Sequence, residues 1–486
     1  MPQYVDSPAV IRDSFIIRTQ KLPVCQKINA FLMSPAYLFL VGGLTVISSC
    51  FSAELVVYSC FILCALYLCI CGKDFLPLMP LVICCYIAPS IGNNPGLNEN
   101  SIFFPGHGGI YLFCLAGLLC VCIILRLCLD PEFGRKSFLF CRRKLLLGML
   151  ILGGAYLLSG AFSGHYFDNG FRNTLFGFIQ FISVFLMYFL FTGGVKWQEA
   201  PRNYLAWTGI CVGCVLLCQI LHIYIINDVI INGEIQRDRI FSGWGNYNNI
   251  GALLTMTIPF SFQQACTHKK GWPYLLCALG FLVGVVLTCS RGSIGAALII
   301  YLLSYSIAIY QKGLRAKSSC LVHLITFLPI AALLLLFHDE LYHLFRVLFS
   351  QGLNPSNREN IYIEGLKQFG KYPIFGGTFY PLDFPLFDFS NVEAFSSFFP
   401  PRWHNTIIQL LASCGIVGLL AYGFHRYQVI RLFVTTPTPE KAFIGLFVLA
   451  LLITSMLDNH FFNVGPTLFY SMALAFAEKT GRKEPV

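Results

Sequence analysis

The sequence predicts an all-α fold. It describes a polytopic membrane protein of about 14 transmembrane helices, or about 12 if the shortest apolar runs pair as hairpins, with one large structured extracytoplasmic loop. Three observations predict this. Of 486 residues, 56% are hydrophobic and only 12% are charged, a balance that no soluble core of this length requires. Apolar runs approaching the thickness of a bilayer recur along the whole chain. Clusters of Lys and Arg follow alternate runs, as topology determinants do.

In order, the first 35 residues carry Arg12, Arg18, Lys21 and Lys27 and lack an apolar core followed by a small-residue cleavage site, so they read as a retained cytoplasmic tail. Apolar runs then predict helices over 36–51, 53–71, 75–91, 108–129, 145–162, 174–194 and 204–226. Further helices follow over 248–265, 273–289, 293–310, 321–337, 406–424, 443–457 and 461–477. The chain thus divides into a tail (1–35), N-terminal transmembrane helices (36–236), a core with Arg-bearing helix junctions (237–337), a large external loop (338–405), C-terminal helices (406–477) and a cytoplasmic tail (478–486).

With the N-terminus inside, the cytoplasmic side receives Arg135, Lys136, Arg142, Arg143, Lys144, Lys269, Lys270, Lys312, Arg426, Arg431, Lys441 and their neighbours. The opposite side receives Arg172, Arg237, Arg239, Arg291, Arg346, Arg358 and Arg402, with only Lys367 and Lys371 beside them. Arg presents a planar fork suited to phosphate oxygens, whereas Lys is the usual solvated topological charge. The external face is therefore prepared for an anion. The net charge of +10 does not indicate nucleic acid, because the basic residues are scattered in short clusters between spans. Most of the 21 cysteines lie inside apolar runs as small fillers, and none falls in the 338–405 loop. No Cys and His spacing resembles a zinc site, so neither a metal nor another cofactor is expected.

A loop as long as 338–405 should hold structure of its own. Ser356 and Glu359 form a capping box that predicts a helix from about Asn357 to Phe369, ended by Gly370 and Pro373. Tyr362, Leu366 and Phe369 give it an apolar stripe to lie on the membrane body, and Arg358 falls in its first turn. The stretch from Phe375 to Pro401 reads as an irregular flap. Cys289, Ser290, Arg291, Gly292 and Ser293 join two helices with almost no loop, which leaves Arg291 at the membrane edge. Upstream, RDRIFSGWGNYNNIGALL carries Arg239 and several Gly and Asn into an apolar run, as a broken or re-entrant helix start would.

Downstream, Arg402, Trp403, His404 and Asn405 lead into the 406–424 helix. Arg402 and Trp403 read as interface anchors, with Arg402 a reserve phosphate contact, and Asn405 as an N-cap that also faces substrate. In that helix Ala412, Gly415, Gly418 and Ala421 form a small-residue packing face. Asp458, Asn459 and His460 read as mainly structural.

The succession of Arg239 to Asn249, TCSRGS around Arg291, NRENIYIEGLKQFGKYPIFGG from Asn357 and HNTIIQLLASCGIVGLL from His404 resembles the O-antigen ligase and polymerase superfamily of bacterial envelopes, over about Arg237 to Phe476. The resemblance implies an integral glycosyltransferase of the bacterial inner membrane. Such an enzyme takes a glycan from an undecaprenyl pyrophosphate carrier on the external face and passes it to a lipid or glycan acceptor. Arg291 matches the family's Ser-Arg arginine and Arg358 the arginine opening its loop helix, both implicated with pyrophosphate. His404 matches the essential histidine before a late span; Arg239, a substrate contact or a structural charge, and Arg402 are added from their place in the sequence and not from the family pattern. The family's Gly-x-Gly appears here as Gly376-Gly377-Thr378.

The residue types suit the reaction on physical grounds too: guanidinium donors stabilise a leaving pyrophosphate, and a neutral His can take a proton from an acceptor hydroxyl. The competing expectation is a lipid-linked oligosaccharide flippase or other transporter. Such proteins commonly show paired repeats, which this sequence lacks.

Overall fold

The computed structural model describes residues 15–88, 118, 121–126, 145–166, 172–195, 197, 200–226, 229–231, 234–236, 239–242, 245–312, 358–380 and 403–479. Its first half contains α1 (Phe15–Gln20), α2 (Pro23–Leu32), α3 (Pro35–Cys50), α4 (Glu54–Ile70), α5 (Leu78–Ile87) and α6 (Leu146–Leu157). Next, α7 (Arg172–Phe181) runs through a π-helical turn (Ile182–Leu186) into α8 (Met187–Gly194), and α9 (Tyr204–Ile226) follows. Two short antiparallel ribbons precede α10 (Tyr247–Thr267), α11 (Trp272–Leu287) and α12 (Arg291–Lys312). The last elements are α13 (Arg358–Lys371), α14 (Thr406–Thr435), α15 (Pro439–Asp458) and α16 (Val464–Lys479).

Helix starts follow local chemistry. Ser34, Asn246, Asn405 and Thr438 each accept a backbone N–H from the turn they open, and Pro35 and Pro439 occupy first positions where no N–H is missed. The Asn-rich stretch therefore caps α10 instead of forming a broken helix start.

Among the described residues five helical stretches are long and apolar enough to cross a membrane, and α2 with α3, bent by 67°, would make a sixth. The helices α4, α5, α6 and α11 are apolar but shorter. The expected run at 321–337 lies outside the described residues, as does most of 108–129. Prolines shorten others: α5 begins only after Pro77, where a helix over 75–91 was expected.

Hydrogen bonds between helix ends sort them onto two faces. Tyr204 Oη donates to Leu32 O (3.1 Å), and Gln264 Nε2 to Asn203 O (3.4 Å). Gln311 Nε2 donates to Pro439 O (3.3 Å). These ends share one face. At the other end of α9, Tyr224 Oη donates to Leu287 O (2.6 Å), level with the start of α12. Thr406 Oγ1 donates to Ser455 O (3.0 Å), setting the start of α14 beside the end of α15.

The helix α14 runs well past the expected end at residue 424, and it is interrupted at Gly415, whose φ of 63° and ψ of −158° leave the helical region. Such a break orphans backbone groups inside the membrane body, where each unpaired group costs several kcal/mol, on the order of 2–7. The segment after α13 pairs them. Ile416 N donates to Pro373 O (2.9 Å) and Val417 N to Ile374 O (3.2 Å), while Ala412 O accepts from Gly377 N (2.9 Å) and Gln368 Nε2 (3.0 Å). Ser413 O accepts from Ser159 Oγ (2.7 Å). Two glycines permit the approach: a Cβ on Gly376 would stand 2.2 Å from Ser413 C, and one on Gly415 2.4 Å from Ile374 O. Residues 376–380 are buried, with Phe379 ringed by Tyr156, Phe176 and Phe462. What the sequence suggests as the start of a flap is thus an inserted plug, held also by Gly160 N to Phe375 O (3.0 Å) and Phe379 N to Asn173 Oδ1 (2.8 Å). The rest of that stretch, 381–402, lies outside the described residues.

Of the expected stripe on the loop helix α13, Tyr362 and Phe369 are half-buried, and the packing face runs through Gly365 and Gln368 between them instead of Leu366. Leu366 is exposed, whereas Gly365 and Gln368 are buried. A Cβ on Gly365 would meet Ile408 Cγ2 at 2.6 Å and Trp403 Cε3 at 3.0 Å, so the absent side chain lets α13 close on α14.

Gly376→Ala and Gly415→Ala are expected to destabilise the protein by more than about 2 kcal/mol. Gly154→Ala and Gly423→Ala, where a Cβ meets nothing within 4 Å, should leave it unchanged or slightly more stable. Thermal unfolding midpoints of the four variants in detergent check this.

Candidate functional site

The C-terminal end of α15 gathers the candidate residues. Beyond Ser455 its last carbonyls lie outside the regular helical ladder, and they carry the negative end of the helix dipole. Arg358 Nη1 donates to Leu457 O (2.6 Å), Asn405 Nδ2 to Met456 O (3.1 Å) and Thr406 Oγ1 to Ser455 O (3.0 Å). Asn459 then closes the helix in the left-handed region (φ 57°), with its N–H returned to Ser455 O (3.0 Å).

On that end Asp458 Oδ1 is hydrogen-bonded to His404 Nδ1. An ionised carboxylate only accepts, so a neutral imidazole paired with one carries its proton on Nδ1 and its lone pair on Nε2. The His404 side chain is 32% exposed and that of Asp458 9%, so the imidazole reaches outward while its orienting carboxylate stays shielded. His404 itself has φ 50°, an uncommon backbone state for a non-glycine residue. Beneath it lies a buried polar network. Asn459 Nδ2 donates to Gln409 Oε1 (2.7 Å), which also accepts Trp403 N (3.2 Å), and Gln409 Nε2 donates to Ser413 Oγ (2.8 Å) at the α14 break. Tyr362 Oη of α13 donates to His404 O (3.4 Å).

Arg291 is the first residue of α12, after a turn in which Cys289 has φ 54°. The turn is tied to α10: Ser290 Oγ donates to Asn248 Oδ1 (2.7 Å), and a Cβ on Gly251 would meet Ser293 Cβ at 2.8 Å. It also packs on α15, since a Cβ on Gly292 would stand 3.2 Å from Leu457 Cβ. Leu457 therefore lies between the Arg291 turn and Arg358. His460, buried, shares a hydrogen bond between Nδ1 and Asn249 Oδ1 (3.1 Å).

The structure thus brings together His404, Arg358 and the turn bearing Arg291. Arg239 is exposed near the ribbons before α10, with its N–H donating to Gln236 O (3.0 Å). Arg402 lies outside the described residues. Asn405 is committed at both ends of its carboxamide, since Oδ1 accepts from Ile407 N (2.9 Å) and Ile408 N (3.3 Å) while Nδ2 donates to Met456 O. Its carboxamide thus caps α14 and ties it to the end of α15.

Trp403, expected at the interface, is fully buried. Arg426, expected as a topological charge, lies within α14 over the rings of Tyr422, Phe461 and Tyr470 and donates from Nη1 to Tyr470 Oη (3.0 Å). Sequence reasoning underrated Asp458. The signal was a carboxylate at the last turn of a span, which is costly without a cation or donor beside it. Among the described residues no three His, Cys, Asp or Glu side chains converge as a metal site would require.

Asn459→Ala is expected to lose the bonds to Thr406 and Gln409 and to strain a left-handed backbone, costing about 2–4 kcal/mol. Asn459→Gly relieves the strain and should cost less. The difference between their thermal midpoints measures the backbone share.

No curated protein matches the chain. Residues 275–423 match the family described as O-Antigen ligase. The matched stretch begins in α11, contains Arg291, Arg358 and His404, and ends beyond the α14 break. It supports placing this protein in the O-antigen ligase and polymerase superfamily.

Proposed function

We propose that this protein is a bacterial inner-membrane glycosyltransferase. It transfers or polymerises a glycan from an undecaprenyl pyrophosphate-linked donor onto an acceptor hydroxyl on the external face, without metal and with inversion at the anomeric carbon. The observation that carries the reading is the His404–Asp458 pair set beside Arg358 and the Arg291 turn on one helix end.

In this scheme the acceptor hydroxyl approaches His404 Nε2, which takes its proton as the oxygen attacks the anomeric carbon. The bond from that carbon to the pyrophosphate oxygen breaks, and the leaving group departs with the electron pair. Asp458 holds the imidazole in the accepting tautomer and stabilises the imidazolium that forms. Negative charge grows on the pyrophosphate. Arg291 and Arg358 each open a helix, so a guanidinium fork and the positive end of a helix dipole act on the anion from the same place. Arg358 commits one donor to Leu457 O, which aims the remainder of the fork. The acceptor would be a lipid or a second carrier-linked glycan.

His404→Ala is expected to lower transfer by about 10²–10⁴-fold and Arg291→Ala by about 10²–10³-fold, with the protein still folded in the membrane. Asp458→Asn should reduce the rate while leaving donor binding intact, because it removes orientation and charge stabilisation but no pyrophosphate contact. The assay is incubation of purified protein with undecaprenyl pyrophosphate-linked glycan and an acceptor, followed by mass analysis of the product. Scrambling of the donor across the bilayer without any transfer would sink the enzyme reading in favour of a flippase.

A further inference from the structure

We propose that the protein binds the headgroup of an anionic phospholipid of the phosphatidylglycerol type in a cavity on the membrane face opposite the candidate site. A cavity of about 480 Å³ opens beside α2 and the turn between α4 and α5, lined by Gln20, Lys21, Gln26, Asn29, Lys73 and Asp74 among others. Its face follows from the helix pairing. Leu32 at the end of α2 receives the Tyr204 hydroxyl at the start of α9, whose far end at Tyr224 lies level with the Arg291 turn. At 23 residues α9 rises about 34 Å, the full hydrocarbon thickness.

The helix α2 has the form of an interfacial helix. It is bent 67° from the span α3, and Val24, Ile28 and Phe31 form an exposed apolar stripe at i, i+4 and i+7. Gln26, Asn29 and Met33, at i, i+3 and i+7, turn a second stripe to the cavity. A ligand seated there would have its polar part against the second stripe and its apolar part beside the first. That geometry matches a phospholipid, with the headgroup enclosed and the acyl chains beside Val24, Ile28 and Phe31.

The lining chemistry narrows the headgroup. Among the described lining residues two lysines stand against one aspartate, a balance that favours an anion, and Lys21 and Lys73 are both exposed. Asp74, buried, accepts Leu76 N (3.0 Å) through Oδ1, and with the side-chain carbonyls of Gln20 and Gln26 it supplies acceptors for headgroup hydroxyls. The wall is built rather than adventitious. Gln20 Nε2 donates to Gly72 O (2.7 Å) and Asn29 Nδ2 to Cys71 O (3.2 Å), while the buried Arg126 holds the same turn through Leu68 O, Cys69 O and Gly72 O at 3.1–3.3 Å. The sequence-based reading of residues 1–35 as a cytoplasmic tail misses this, because Lys73 and Asp74, which complete the lining, lie some 50 residues on.

The test uses the full-length protein in nanodiscs of phosphatidylethanolamine doped with phosphatidylglycerol, followed by extraction and native mass spectrometry of retained lipid. Phosphatidylglycerol should be retained in preference to phosphatidylethanolamine. Lys21→Gln and Lys73→Gln should each lower its retention about five-fold, and Gln26→Glu, an exposed change, should lower it as well. Lys269→Gln with Lys270→Gln, on the same face but outside the cavity, should not. Equal retention of the two lipids by the unaltered protein, or unchanged retention in all three cavity variants, overturns the proposal. Full displacement by millimolar inorganic phosphate would assign the cavity to free anion and overturn the lipid.

Discussion

The rest of the structure depends on how the interruption of α14 at Gly415 is satisfied. A helix broken within a membrane body must find partners for its freed carbonyl and amide groups, and here the segment 373–378 and Ser159 supply them. The arrangement fixes the segment after α13 to the helical core largely through backbone contacts, for which Gly376 and Gly415 leave the room. It also sets the first turns of α14, and with them His404, in a fixed relation to α15. Gln409 and Ser413 carry the link from the break to Asn459.

The candidate site is assembled on this frame from pieces distant in sequence. The end of α15 attracts donors because its last carbonyls lie outside the regular helical ladder and its dipole is negative, so Arg358, Asn405 and Thr406 converge there for ordinary electrostatic reasons. The same negative end carries Asp458, whose proximity gives His404 a defined tautomer. Three of the five non-glycine residues with positive φ among those described, Cys289, His404 and Asn459, lie at this site. Such backbone states persist only where the surroundings over-determine them, which is what the network beneath His404 provides.

Much of this was legible in sequence. The placement of Arg291, Arg358 and His404 toward one face followed from charge alternation and motif order, and the Asn405 cap from residue type alone. The partner of His404 was not legible, because the pairing spans 54 residues and a carboxylate at a helix end resembles surface charge until its neighbour is known. Ala412, Gly415, Gly418 and Ala421 are all buried, as a packing stripe requires, yet Gly415 serves as the break. That role depends on Ile374 and Pro373 approaching from the loop, which local sequence does not encode. The stripe on α13 was misplaced at Leu366 for a related reason. Gly365 contributes no hydrophobicity to a periodicity argument, yet its missing side chain decides which face can close on Trp403.

The plug around Phe379 also has a consequence for biosynthesis. Asn173 and Ser159 emerge from the ribosome long before their partners, with 206 residues separating Asn173 from Phe379 and 254 separating Ser159 from Ser413. At typical elongation rates of roughly 5–20 residues per second, the polar end of the α6–α7 hairpin waits on the order of ten seconds or more without them. The early spans must therefore tolerate an open, hydrated vestibule during insertion, and the molecule locks only once the loop and α14 have both arrived. Quality control that senses exposed polar groups in the bilayer would have that interval in which to act.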